Sequence, residues 1–328
     1  MRKLPGFYLI DGGIEMAEKD YAYAVGRIRA MENKLLPVGF FERLLTAPSI
    51  EESARLLGET EYGGRETGGD FEDILEEQLG QLYQFLREQT DDAPELLVFL
   101  RRWDVHNLKL LVVTAGHGRP SRLGIIPFAD LKKMVEGVLP STLPAEINEV
   151  LADLPERGPE RAAALDRAYY RYGRRVLERS SALLAAYWRA RRDLINLQLF
   201  LRLRKSGAPV KEFELFMVEP GYIERRQWVE NYTQSPSSLV SLVNNTPYAH
   251  LVRGDEVLNS LPLLEREIDN YLLELIKEAK YVPLGIEPVI GYLLAKEREI
   301  LNLRFVLAGK KNKLPVETVR RRLRNVYV

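Results

Sequence analysis

The 328-residue chain has no cysteine, only three histidines, no net charge and no long apolar run. Without cysteine there are no disulfides, no thiol catalysis and no thiolate metal site, and the composition fits a reducing compartment. His106, His117 and His250 show no ligand spacing such as H-E-x-x-H, so no metal site is expected. His106 is read as a packed side chain. Lys plus Arg and Asp plus Glu number 47 each, which argues against a general nucleic-acid binder, whose footprint is net basic. The longest apolar runs, such as Leu96 to Leu100, fall far short of the roughly 18 residues that span a bilayer, and there is no continuous apolar signal core. A soluble chain without a transmembrane segment or signal peptide is expected. Gly309-Lys310-Lys311 lacks the earlier glycine and following Ser/Thr of a phosphate loop, Gly12-Gly13 lacks a spaced third glycine, and no G-x-S-x-G elbow occurs. No cofactor and no small-molecule substrate are expected.

Neutrality conceals segregation. Glu42 to Glu95 holds fifteen acids and four bases, whereas Lys296 to the end holds ten bases and three acids. Such poles suit different partners at different faces, or are simply solvated surface.

What the chain does have is one phrase used three times: Asp104-Val105-His106-Asn107-Leu108, Asp193-Leu194-Ile195-Asn196-Leu197 and Glu299-Ile300-Leu301-Asn302-Leu303. Each asparagine is followed by apolar residues at the third to fifth positions beyond it and by a proline thirteen residues on: Pro120, Pro209 and Pro315. On a helix, residues i and i+3 share a face, so the carboxylate either accepts from the asparagine amide or joins it in binding neighbouring backbone. The apolar cluster places this helix at the centre of a unit, and the proline ends it and starts the next element. The alternative, three acids converging on one cation, is disfavoured because each belongs to a separate unit.

Around the phrase, prolines and glycines punctuate long stretches of helical apolar spacing, and no series of alternating strands is found. The reading is an all-α chain. Long helices are predicted over about Phe71–Gln89, Glu160–Arg179 and Leu263–Lys280, each followed by a phrase helix. Glu160 to Lys205 is free of proline and would make one rod of about 69 Å at 1.5 Å per residue, with a bend expected near Ser180-Ser181. Ser49 with Glu52 has capping-box spacing, and Ser235 can cap a helix that opens on Pro236. Thr60-Glu61-Tyr62 and Thr246-Pro247-Tyr248 close matching helices. The asparagines lie 89 and then 106 residues apart, longer than solenoid periods, so three tandem homologous helical modules are expected, over 21–120, 121–209 and 210–328, with residues 1–20 an unassigned extension.

Tyr21-x-Tyr23, Arg27-x-Arg29, Lys34-Leu35-Leu36, Thr60-x-Tyr62-Gly63-Gly64, the first Asp-x-x-Asn-Leu and Tyr292-x-x-x-Lys296-Glu297-x-Glu299-x-x-Asn302-Leu303-Arg304 together resemble the C subunit of prokaryotic V/A-type rotary ATPases, the counterpart of the d subunit of the eukaryotic V-ATPase. The resemblance covers nearly the whole chain from about Tyr21. It implies a funnel of three modules in pseudo-threefold arrangement, a non-catalytic central-stalk component lying peripherally at the cytoplasmic face of a membrane. Its implied partners are the central shaft subunits, received in the funnel, and the membrane proteolipid rotor ring. It implies a part in ATP-driven ion transport or ATP synthesis without catalysing either. A generic helical adaptor, or an enzyme with a site between modules, is the competing reading.

Overall fold

The structure, a computed structural model, describes residues 9–10, 13–14, 21–63, 71–234, 236–252 and 255–328. Most of the 1–20 extension, Gly12, Gly64 and the Ser235 cap lie outside the described residues. Leu9–Ile10 pairs antiparallel with Gly13–Ile14; the other described elements are helical, and the class is all-α. They are α1 (Ala22–Glu32), α2 (Val38–Thr46), α3 (Ile50–Gly58), α4 (Phe71–Thr90), α5 (Pro94–Leu100), α6 (Arg102–Thr114), α7 (Phe128–Val135), α8 (Ala145–Ala152) and α9 (Gly158–Leu177). There follow α10 (Ala182–Lys205), α11 (Val210–Phe216), α12 (Arg225–Tyr232), α13 (Pro236–Val243), α14 (Asp255–Asn259), α15 (Leu261–Lys277), α16 (Glu287–Lys311) and α17 (Val316–Arg320). Among the described residues no helix is long and apolar enough to cross a membrane.

The long helices form where the apolar spacing demands them. Leu75, Leu79, Leu82 and Leu86 make one buried stripe on α4, and Leu264, Ile268, Leu272 and Ile276 make another on α15. The proline-free stretch divides at Ser181, whose extended backbone breaks the helix and whose hydroxyl accepts from the Leu184 N–H at 3.2 Å, capping α10. The chain then folds back, and α9 and α10 meet at Gly173. A Cβ there would lie 2.1 Å from the Trp188 ring, so only glycine admits the indole. At α3 the cap forms by half: the Ser49 hydroxyl accepts from the Glu52 N–H, while the Glu52 carboxylate pairs with Arg55.

Packing follows a cyclic rule. The first phrase helix, α6, packs on α9, the second, α10, on α15, and the third, α16, returns to α4 near the start of the chain, where it also meets α1, α2 and α3. Both ends of the described main body dock on one turn. Tyr21 N–H donates to Leu284 O, Arg29 donates to Lys280 O at 2.8 Å, and Lys280 Nζ donates to Tyr327 O at 2.7 Å.

This closure brings part of the segregated charge together. The acidic stretch near the start and the basic stretch near the end face one another: Lys296 pairs with Glu61, Arg304 with Glu72 and Arg320 with Glu42, each at 2.9 Å. Part of each pole thus meets the other. His106 also departs from expectation, since it is exposed, edge-on to Trp103. Two residues along a helix is about 200° of rotation, which turns it away from the buried Asp104.

Candidate functional site

The three phrases are three copies of one clasp. Asn107, Asn196 and Asn302 are almost fully buried, and each engages one residue's backbone twice. Asn107 Nδ2 donates to Ser121 O while its Oδ1 accepts from Ser121 N–H, both at 2.9 Å. Asn196 holds Val218 in the same way at 3.0 Å, and Asn302 holds Arg324 at 2.9 Å. Of the two options left by the spacing, the amides bind backbone rather than the neighbouring acid. A reciprocal pair satisfies a donor and an acceptor of chain that has left the helix, which is what a buried irregular segment requires.

The acids hold the next amides along. Asp104 accepts from Ile126 N–H at 3.0 Å, and Asp193 accepts from Gly221, Tyr222 and Ile223 at 2.8, 2.6 and 3.2 Å. Glu299 takes Leu36 N–H at 2.5 Å, an amide 263 residues earlier in the chain. Leu36, Ile126 and Ile223 stand equivalently, each one residue before the N-cap of a helix, namely α2, α7 and α12. The third clasp therefore closes on the beginning of the first unit.

Two tyrosines reinforce the acids. Tyr248 donates to Asp193 and Tyr62 to Glu299, each at 2.6 Å, with Lys296 also on Glu299 at 2.6 Å. Each tyrosine follows a threonine whose hydroxyl bonds a carbonyl three residues back, turning the chain inward. At Asp104 the added contact comes from Arg101, at 3.3 Å. Burial dominates the electrostatics: it pushes the Asp104 carboxyl up to about 6 despite that guanidinium and the Ile126 amide, and raises Asp193 as well.

Pro209 and Pro315 are the N-caps of α11 and α17. Pro120 differs, since it leads into turns and the next helix waits for Pro127. The clasped residue lies 14 positions after Asn107 but 22 after Asn196 and Asn302. The first unit lacks the length for the short helix, yet the same clasp forms. At the eleventh position beyond each asparagine, Gly118, Gly207 and Lys313 have positive φ, of 133°, 72° and 52°.

The acids do not gather. Among the described residues no cluster of His, Cys, Asp or Glu suits a metal. What does gather is the position five residues before each asparagine. Arg102 of α6, Arg191 of α10 and Glu297 of α16 line one cavity of about 390 Å3, together with α4 and α15 residues such as Leu79 and Leu272. Arg102 pairs with Glu297 at 2.5 Å, and Tyr83 donates to the same carboxylate at 2.5 Å. Arg298 pairs with Asp269 at 2.6 Å on the cavity wall. A larger groove of about 780 Å3 runs outside, between α9 and residues 219–225. No local motif marks Arg191, although its constant offset from the repeated asparagine was readable.

The buried asparagines and aspartates of the phrases thus serve the backbone, as the interior polar groups of a helical scaffold component do. The chain belongs to the ATP synthase (C/AC39) subunit family, whose sequence profile matches residues 24–322. It is a component of an ATP synthase-type complex and not an enzyme in itself. Among its relatives, the C subunit of the A-type ATP synthase of Methanocaldococcus jannaschii is 26% identical, covering 92% of this chain and 85% of its own. Those of Methanosphaera stadtmanae and Halorubrum lacusprofundi are 24% and 26% identical, covering 89% and 90% of this chain and 84% and 95% of theirs.

Proposed function

We propose that the chain is the central-stalk socket of a V/A-type ATPase, transmitting rotation between the shaft of the soluble head and the proteolipid ring at the cytoplasmic face of the membrane. In this reading the modules 21–120, 121–209 and 210–328 stand in a funnel with pseudo-threefold symmetry, and the clasps at Asp104/Asn107, Asp193/Asn196 and Glu299/Asn302, with Pro120, Pro209 and Pro315, are the structural signature of each. The carrying observation is the cavity to which one equivalent position of every repeat contributes. Torque needs a stiff coupler, and clasps that tie each unit to the following one, including the last to the first, provide stiffness around the whole circuit.

The test is co-purification at low ionic strength, because exposed charged contacts weaken with screening. The full chain should retain both the shaft subunits and the detergent-solubilised proteolipid ring of its own complex, and should not turn over ATP alone. Retention of neither partner would refute the role.

A further inference from the structure

The cavity holds an unbalanced charge. The three equivalent positions are Arg102, Arg191 and Glu297, two guanidiniums to one carboxylate, and Arg102 takes the carboxylate. Among the described residues no carboxylate pairs with Arg191. Its neighbours are the phenols of Tyr169, Tyr170 and Tyr187, with Tyr170 hydrogen-bonded to it, and the Trp188 ring at 5.9 Å. Burial pushes the Tyr169 and Tyr170 phenols up, so neither supplies negative charge near neutral pH. A half-buried cation without a carboxylate partner is costly to keep, since charges inside proteins are normally paired.

We propose that the missing acceptor is a carboxylate carried by the tip of the central shaft, which enters this cavity and pairs with Arg191. The flanking walls, Trp103, Leu79, Leu272 and Leu294, suit apolar side chains beside that acid, so the partner segment is an acidic helix end with apolar flanks. The inference rests on the socket reading and adds the recognition chemistry. An arginine fork matches a carboxylate in two hydrogen bonds, which fixes rotational register as well as position.

The experiment measures affinity of the full chain for the purified shaft subunits of the same complex, using wild type, Arg191→Gln, Arg191→Lys and, as an outer-surface control, Arg226→Gln. Losing one partner of a desolvated charge pair typically costs at least about 2 kcal/mol, so Arg191→Gln should weaken binding by roughly 30-fold or more. Arg191→Lys should recover part of that loss, and the control should bind as wild type. The thermal midpoint of free Arg191→Gln should equal or exceed the parent's, because a half-buried charge without a carboxylate partner has been removed. Undiminished shaft binding by Arg191→Gln would overturn the carboxylate contact while leaving the socket intact. A lowered midpoint with unchanged affinity for the folded fraction would assign Arg191 to structure alone and also overturn it. Failure of the wild type to bind the shaft would refute the socket reading itself.

Discussion

Replacing Asp104 by asparagine isolates the energetic conflict at the first clasp. Asp104 is fully buried and its carboxyl titrates at about 6, because the cost of desolvating its charge exceeds the help from Ile126 N–H and Arg101. An unfolded aspartate titrates near 3.9. Between those values the folded chain binds the extra proton, so stability falls as pH rises through the window; below about 3 both states are protonated and the difference vanishes. A gap of about two pH units, at about 1.4 kcal/mol each, gives roughly 3 kcal/mol of destabilisation by pH 7. Asparagine retains an acceptor for Ile126 N–H but cannot ionise. Whatever fixed cost accompanies the loss of the Arg101 pair, the stability of Asp104→Asn relative to wild type should therefore improve by about 3 kcal/mol between about pH 3 and pH 7. Urea denaturation of both proteins across that range, followed by tryptophan fluorescence with Trp103 adjacent in sequence, measures the difference directly. A relative stability that stays flat across the range would refute the argument, since it would mean that the Asp104 ionisation is shared equally by the folded and unfolded chains.

Two further substitutions probe the clasps from other directions. Asn196→Leu leaves the N–H and C=O of Val218 without partners, at about 1 to 3 kcal/mol for each group; denaturant unfolding should show the loss, and an unchanged midpoint would remove the clasp from the account of stability. Lys313 is an exposed, left-handed residue where the second unit uses Gly207. Lys313→Gly should therefore raise stability by about 1 kcal/mol, read as a higher melting temperature.

The long helices were legible because apolar spacing dictates them; near Ser180-Ser181 a bend was expected, and the Ser181 cap makes it a full break. The clasp was half legible. The i, i+3 spacing of Asp193 and Asn196 put two polar groups on one face, but their partners lie 22 to 55 residues away and no local pattern identifies them. Tyr62 and Tyr248 were visible as matching turns, yet that Tyr62 answers an acid 237 residues later follows only from the chain returning on itself. The same return pairs three acids of the acidic stretch with three bases of the basic one. Arg191 was least readable, because its significance lies in a partner it lacks.

At the third clasp the segment before α2 and the helix α16 are joined without a covalent link. Glu299 holds Leu36 as Asp104 holds Ile126, while Tyr21 and Tyr327 both rest against the 279–284 turn. Hydrogen bonds rather than a peptide link bridge this seam. A cut in the backbone beside Pro209 would likewise leave the Asn196 and Asp193 hydrogen bonds to bridge it, so the continuity of the circuit lies in its clasps rather than in the peptide chain.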